Sequence, residues 1–250
     1  MIGYLRCDLH RILRRFPRYL MLLLGLGGLA LCTVIFGQSG LYGAWSSFAY
    51  VAAIKAMIKP LSLIIGIVEL FFVFGDDLKA KTMQAAIGAG LSRADLVFGK
   101  YFEIVLLSLL DVLLYVVFLL AFGGVFQAGL LPVQLRELSV YALVEWLRVI
   151  GYMSLTMILL FFKSSLGLGL ILYIALYAKV LHTVARLLLS IKAIDGLHLS
   201  RYTLTASIDT LQTYLIGGLS SVGPLLIVLG YGLLGCLIAL LLFRKRELTL

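Results

Sequence analysis

Charge is scarce in this sequence: Asp, Glu, Lys and Arg together make up 13% of 250 residues, about half the share found in ordinary soluble chains. That scarcity excludes a water-soluble globular domain, because the 62% of residues that are hydrophobic exceed what a single solvated fold can bury. Histidine is almost missing: His10, His182 and His198 form no HExxH and no i, i+4 pair, which argues against a metal-dependent intramembrane hydrolase. Cys7, Cys32 and Cys236 are too few and too far apart for a disulfide framework or a metal centre, and two of them lie in apolar runs as small hydrophobes. No metal ligands are expected. No serine carries a GxSxG signature, and the lone Gly99-Lys100 pair is followed by Tyr101 rather than Ser or Thr, so there is no phosphate-binding loop. The chain is therefore expected to be no enzyme and to bind no cofactor, with energy for any work coming from another subunit or an ion gradient.

What the sequence has in abundance is long apolar runs, and these predict an all-α, polytopic membrane protein of six transmembrane helices in a single domain. Residues 1–18 carry Arg6, Arg11, Arg14, Arg15 and Arg18 against Asp8 alone. With Leu5, Leu9, Ile12 and Phe16 this segment reads as an amphipathic helix on the cytoplasmic membrane surface, followed by an uncleaved first span over 19–36. The second run ends at Phe74; counted from Leu61 it reaches only about 21 Å, so its helix is expected to begin near Ala52. There Lys55 and Lys59 would extend to the outer headgroups and Pro60 would kink the helix. Further spans are expected at 96–122, 140–162, a fifth beginning after a turn at Lys163 and Ser164, and 222–243. Lys179, His182 and Arg186 share one face at the end of the fifth, so residues 182–220 are expected to lie outside the cell.

The net charge of +9 and pI of about 9.5 read as topology rather than as nucleic-acid binding. With both termini in the cytoplasm of a bacterial cell, thirteen of the 21 Lys and Arg fall inside and seven outside, with Arg148 within a span. No strict GxxxG occurs, although Gly25 with Gly28, and Gly232 with Gly235 and Ala239, offer close helix approach.

Residues 75–95, GDDLKAKTMQAAIGAGLSRAD, interrupt the apolar pattern. Asp76 or Asp77 can cap a short helix whose Met83, Ile87 and Leu91 share one face, Gly88 and Gly90 can stop it, and Ser92 with Asp95 forms a capping-box pattern for the third span. Among the acids near the spans, Asp111 falls close to mid-membrane, where a charge costs at least about 2.5–3.5 kcal/mol on insertion scales. It is a candidate residue of a translocation path, or else a hydrogen-bonded tie between helices. Glu69 and Glu103 fall nearer the cytoplasmic end, where Glu103 is expected to pair with Lys100 at the surface, and Glu145 and Arg148 are expected to neutralise each other.

The stretch from Phe71 to Glu103, FFVFGDDLKAKTMQAAIGAGLSRADLVFGKYFE, resembles the membrane subunits of ABC transporters of the type-2 class. Asp77, Thr82, Ser92, Arg93 and Lys100 match the order of that family's acid, Thr, Ser-Arg and Lys. Lys81 stands where the family often has Gly, and Asp77 replaces the more usual Glu. The remaining chain agrees in layout, closest to small permeases of bacteriocin or lantibiotic export and immunity. The resemblance implies a permease that exports a peptide, drug or lipid-like substrate, pairing with a second permease copy, identical or not, and with cytosolic ABC ATPase subunits that hold ATP and Mg. It implies further that the 75–95 loop is a coupling helix gripped by the ATPase, with Asp76, Asp77, Lys79, Lys81, Thr82, Ser92, Arg93 and Lys100 as coupling residues. An ion-coupled secondary transporter and an integral-membrane enzyme are the alternatives.

Overall fold

The computed structural model describes residues 2–38, 47–79, 82–125, 131–189, 202–218 and 222–245, and these are helical with no strand among them. In chain order the helices are α1 (Ile2–Leu13), α2 (Phe16–Gln38), α3 (Ser47–Glu69), α4 (Gly75–Lys79), α5 (Thr82–Gly88), α6 (Arg93–Val125), α7 (Pro132–Lys163), α8 (Leu166–Tyr177), α9 (Val180–Leu189), α10 (Leu204–Gly217) and α11 (Val222–Lys245). A π-helical segment, Leu70–Phe74, joins α3 to α4. Lys81 lies outside the described residues, as do the side chains of Lys79 and Cys32 and the part of the expected external segment over 190–201.

Among the described residues, four helices are long and apolar enough to cross a membrane: Tyr50–Leu78, Arg93–Phe122, Pro132–Lys163 and Val222–Lys245. A fifth crossing is counted if α8 and α9, bent by 67° at their junction, form one span. The expected first span lies on the 23-residue α2, most of whose second half has side chains outside the described residues.

The order of hydropathy among these helices sets their places. Pro132–Lys163 has the lowest mean hydropathy of the four, 1.6, and the largest buried share, 72%; Val222–Lys245, at 2.7, is 33% buried. Lipid offers no partner to polar groups, so the helix carrying Glu145, Arg148, Ser154 and Thr156 goes to the centre while Leu-rich helices face outward. Accordingly α7 packs against α3, α6, α8, α10 and α11. Leu110, Leu113, Leu114 and Val117 of α6 and Leu229, Leu233 and Leu237 of α11 are exposed.

Close approach of α11 to α7 depends on glycine. A Cβ on Gly235 would fall 2.8 Å from the Ser154 backbone, and one on Gly232 would meet the Tyr101 hydroxyl at 2.6 Å. Ala239, one turn on, is fully buried. Of the other pair, Gly25 lies against the Tyr115 hydroxyl whereas Gly28 has open space.

Helix ends are set by local chemistry. Gln134 Oε1 accepts the Leu131 N–H at 2.9 Å, and Pro132 begins α7 where no N–H is needed. Ser164, with φ 49°, ends α7, and Ser165 Oγ accepts the Leu168 N–H to start α8. Lys179, with φ 59°, marks the α8–α9 bend. Within the segment expected to be external, α10 is a 14-residue helix that packs on α7 and α11 and buries Leu204, Ile208 and Leu211. Its apolar face, at Leu204, Ile208 and Leu211, has the spacing of a helix that docks rather than of a solvated loop.

Candidate functional site

The 75–95 segment is built as two short helices between two long ones. No break separates it from the preceding span: Tyr50–Leu78 is one continuous helix, with the π segment inside it. Asp76 and Asp77 therefore sit in a first turn that other helical residues already precede, and their carboxylates are used for tertiary contacts. Asp77 is 4% exposed; it accepts from Thr82 Oγ1 at 2.6 Å and from Arg11 at 3.1 Å, and it pairs with Lys100. Asp76 pairs with Arg15.

The other end of α5 closes with a Schellman motif. Gly90, with φ 96°, donates to the Ile87 carbonyl at 2.9 Å, and Leu91 N–H reaches the Ala86 carbonyl at 3.0 Å. Only a residue without Cβ takes this φ at no cost. Met83 is buried, and Ile87 and Leu91 pack against the core, so all three sit on the inward side of the segment. Ser92 Oγ then accepts the Asp95 N–H at 3.0 Å while donating to Asp95 Oδ2 at 2.7 Å, which starts α6. Arg93 turns away from the loop and donates to the carbonyls of Phe243 and Arg244 at 2.8 and 2.7 Å, satisfying the end of α11.

Lys100 is the centre of this end of the molecule. Fully buried, it pairs with Asp8 and Asp77, lies 3.2 Å from Glu103, and donates to the Val73 carbonyl of the π segment at 3.1 Å. The expected Glu103–Lys100 pair thus forms, but in the interior rather than at the surface, because α1 lies over it. Arg11 bridges Asp8 at 2.7 Å and Asp77 at 3.1 Å. Burial raises the Asp8 pKa, but Lys100 and Arg11 outweigh it and hold the carboxyl below its ordinary value. Burial lowers that of Arg11, and Asp77 and Asp8 more than restore it.

A second cluster lies deeper. Arg18 of α2 donates to Glu69 Oε1 of α3 at 3.0 Å and to Asp111 Oδ1 of α6 at 2.7 Å. Asp111, singled out as mid-membrane, is thus an ion-pair partner of Arg18 on α2, which also pairs with Glu69 of α3. A third cluster joins α7 to α10: Arg148 meets Glu145 at 3.4 Å and Asp209 at 3.2 Å, Asp209 meets Lys179, and Ser62 donates to Glu145 at 2.7 Å. Lys55 pairs with Glu137 and lies over the Tyr141 ring. Between α3, α6 and α7 a cavity of about 10 Å³, lined by Ser62, Tyr115 and Glu145 among apolar neighbours, is no larger than a single water needs.

The structure therefore brings together Asp77, Thr82 and Lys100 of the sequence candidates, keeps Ser92 at the head of α6, and sends Arg93 to α11. It adds Asp8, Arg11, Arg15, Arg18, Glu69 and Glu103. No group of three His, Cys, Asp or Glu side chains among the described residues is placed to hold a metal ion. Compared with known proteins, the sequence matches no family model and no curated protein.

Proposed function

We propose that this chain is the permease subunit of an ATP-driven ABC transporter of the type-2 class, exporting a peptide, drug or lipid-like substrate from a bacterial cell. Six crossings with both termini in the cytoplasm then take α2 as the first span and the bent pair α8–α9 as the fifth. The observation that carries the reading is the mounting of α5. The loop joins two long helices, is closed at one end by Gly90 and Ser92, and is tied at the other by Asp77 to Thr82, Arg11 and Lys100. A push on such a loop moves α3 and α6 as rigid bodies, which is what a motor on another polypeptide requires.

In this reading the ATPase touches the outer side of α5, where Thr82, Ala85, Gly88 and Ala89 are exposed. Asp77 and Lys100 transmit the motion inside the permease, and Arg93 links it to the last span. Single cysteines at Ala85 and Ala89, in a background with Cys7→Ser, Cys32→Ala and Cys236→Ala, should crosslink to a nucleotide-binding subunit when the assembled complex is treated with a short bifunctional reagent. A complex in which neither position crosslinks, or native membranes from which no ATPase copurifies, would sink the proposal. The ion-coupled alternative is favoured by the meeting of Arg18, Glu69 and Asp111. Substrate export that survives ATP depletion but stops with a protonophore would select it.

A further inference from the structure

The Arg18 cluster sets two acids against a single base. Arg18 Nη2 lies 3.0 Å from Glu69 Oε1 and 2.7 Å from Asp111 Oδ1, and the three side chains are 2%, 0% and 3% exposed. The second oxygen of each acid, Glu69 Oε2 and Asp111 Oδ2, is buried without a hydrogen-bond partner, as is Arg18 Nε. Both acids meet the same guanidinium nitrogen, so the two carboxyl groups share one site. Two carboxylates against one guanidinium leave one negative charge.

Among the described residues no second cation meets the cluster. From α6, Tyr115 turns its hydroxyl to the Leu22 carbonyl at 3.4 Å. Glu103 and Lys100, about two and three turns away on α6, pair with each other, and Lys100 also holds Asp8 and Asp77. Glu145 and Arg148 of α7 meet beside Ser62, about two turns away along α3 in the other direction. An uncompensated charge so deep is costly, and two acids that share a site relieve the cost when one keeps its proton. The π segment begins at the residue after Glu69, and such turns inside α-helices occur frequently at functional sites.

We propose that Glu69 and Asp111 together bind one exchangeable proton, so that the Arg18–Glu69–Asp111 cluster is a buried proton-binding site where α2, α3 and α6 meet. The inference does not depend on what drives transport. Loss of the proton leaves a carboxylate with no partner beside the π segment. The three helices therefore hold this packing while the proton is bound and loosen when water reaches the site.

The test is infrared difference spectroscopy on the purified full-length chain in lipid nanodiscs at neutral pH. Either Glu69→Gln or Asp111→Asn leaves one carboxylate for one guanidinium and needs no proton. Each variant should therefore lose one protonated-carboxyl C=O band that the wild type shows and that shifts in D2O. Loss in neither variant, or in only one, overturns the shared proton. Should a variant fail to fold, wild-type protein labelled with 13C at the Asp or Glu side-chain carboxyl supplies the same reading, and the absence of any isotope-shifted band overturns it. Stabilisation by sodium but not by choline, with no such band, would also overturn it by giving the site to a metal cation.

Discussion

Two charged clusters at different places in the bundle use the same chemistry under different exposure. Around Lys100, the ammonium and Glu103 are fully buried and Asp8 and Asp77 are 7% and 4% exposed. Around Asp209, the carboxylate is 43% exposed and its partner Lys179 46%, and the buried Arg148 has Glu145 as a second partner. The difference is what each cluster can lose. Water takes over for a missing partner at Asp209, whereas at Lys100 nothing replaces it, so the first cluster holds α1, α4 and α6 in one arrangement and the second only pins a helix end.

Breaking the buried cluster should have the largest effect. Lys100→Gln leaves Asp8, Asp77 and Glu103 around a neutral group with Arg11 as the remaining cation, and removal of one partner from a buried ion pair costs about 3–5 kcal/mol. Thermal unfolding in detergent should show this as a large fall in midpoint. A shift no greater than that of a surface variant would mean that the acids accept protons or water freely, and the contrast between the two clusters would vanish.

Much of the membrane character was legible in composition alone. The buried charges were legible only in part, because each helix was read by itself. Arg11 and Arg18 are seven residues apart across the α1–α2 junction, and so are Glu69 and Asp76 along one continuous helix, and the two segments run antiparallel. Arg18 meets Glu69 while Arg11 meets Asp77 and comes within 3.9 Å of Asp76, so the matched spacing was a signal of pairing. Glu103 and Asp111, eight apart on α6, continue it. Reading Glu103 as a surface residue missed that α1 folds back over α6 and buries Asp8 and Ile12 there. The capping of α5 and α6 was legible because Gly90 and Ser92 act through local backbone geometry. The π segment was not, since nothing in LFFVF departs from an ordinary apolar turn; its Val73 carbonyl is bound by a lysine 27 residues away.

Acid should loosen the buried cluster less than Lys100→Gln does, because Lys100 keeps Asp77 and Glu103 when Asp8 is neutralised. The pKa of Asp8 is lowered from 3.8 in the folded chain by Lys100 and Arg11 against the opposing effect of burial. A depressed carboxyl stabilises the fold fully above its unfolded pKa, and that contribution disappears as pH falls through the lower folded value. Unfolding midpoints should therefore be insensitive to Asp8 between pH 7 and pH 5 and decline below about pH 4. In Asp8→Asn the acid-dependent part of this decline should be smaller. Identical acid profiles for the two proteins would show that Asp8 does not carry the linkage.

The smallest effect belongs to the exposed cluster. Asp209→Asn removes one acid from between Arg148 and Lys179, but Lys179 is nearly half exposed and is hydrated in its place, while Arg148 keeps Glu145 at 3.4 Å. Pairs of this exposure contribute about 0–1 kcal/mol, and less in high salt. The midpoint of Asp209→Asn should lie close to that of the wild type, and raising the ionic strength should close the remaining gap. A loss as large as that of Lys100→Gln would mean that α10 is held by Asp209 itself rather than by Leu204, Ile208 and Leu211 packed against the core. Exposure would then be the wrong measure of what a charged cluster contributes to this fold.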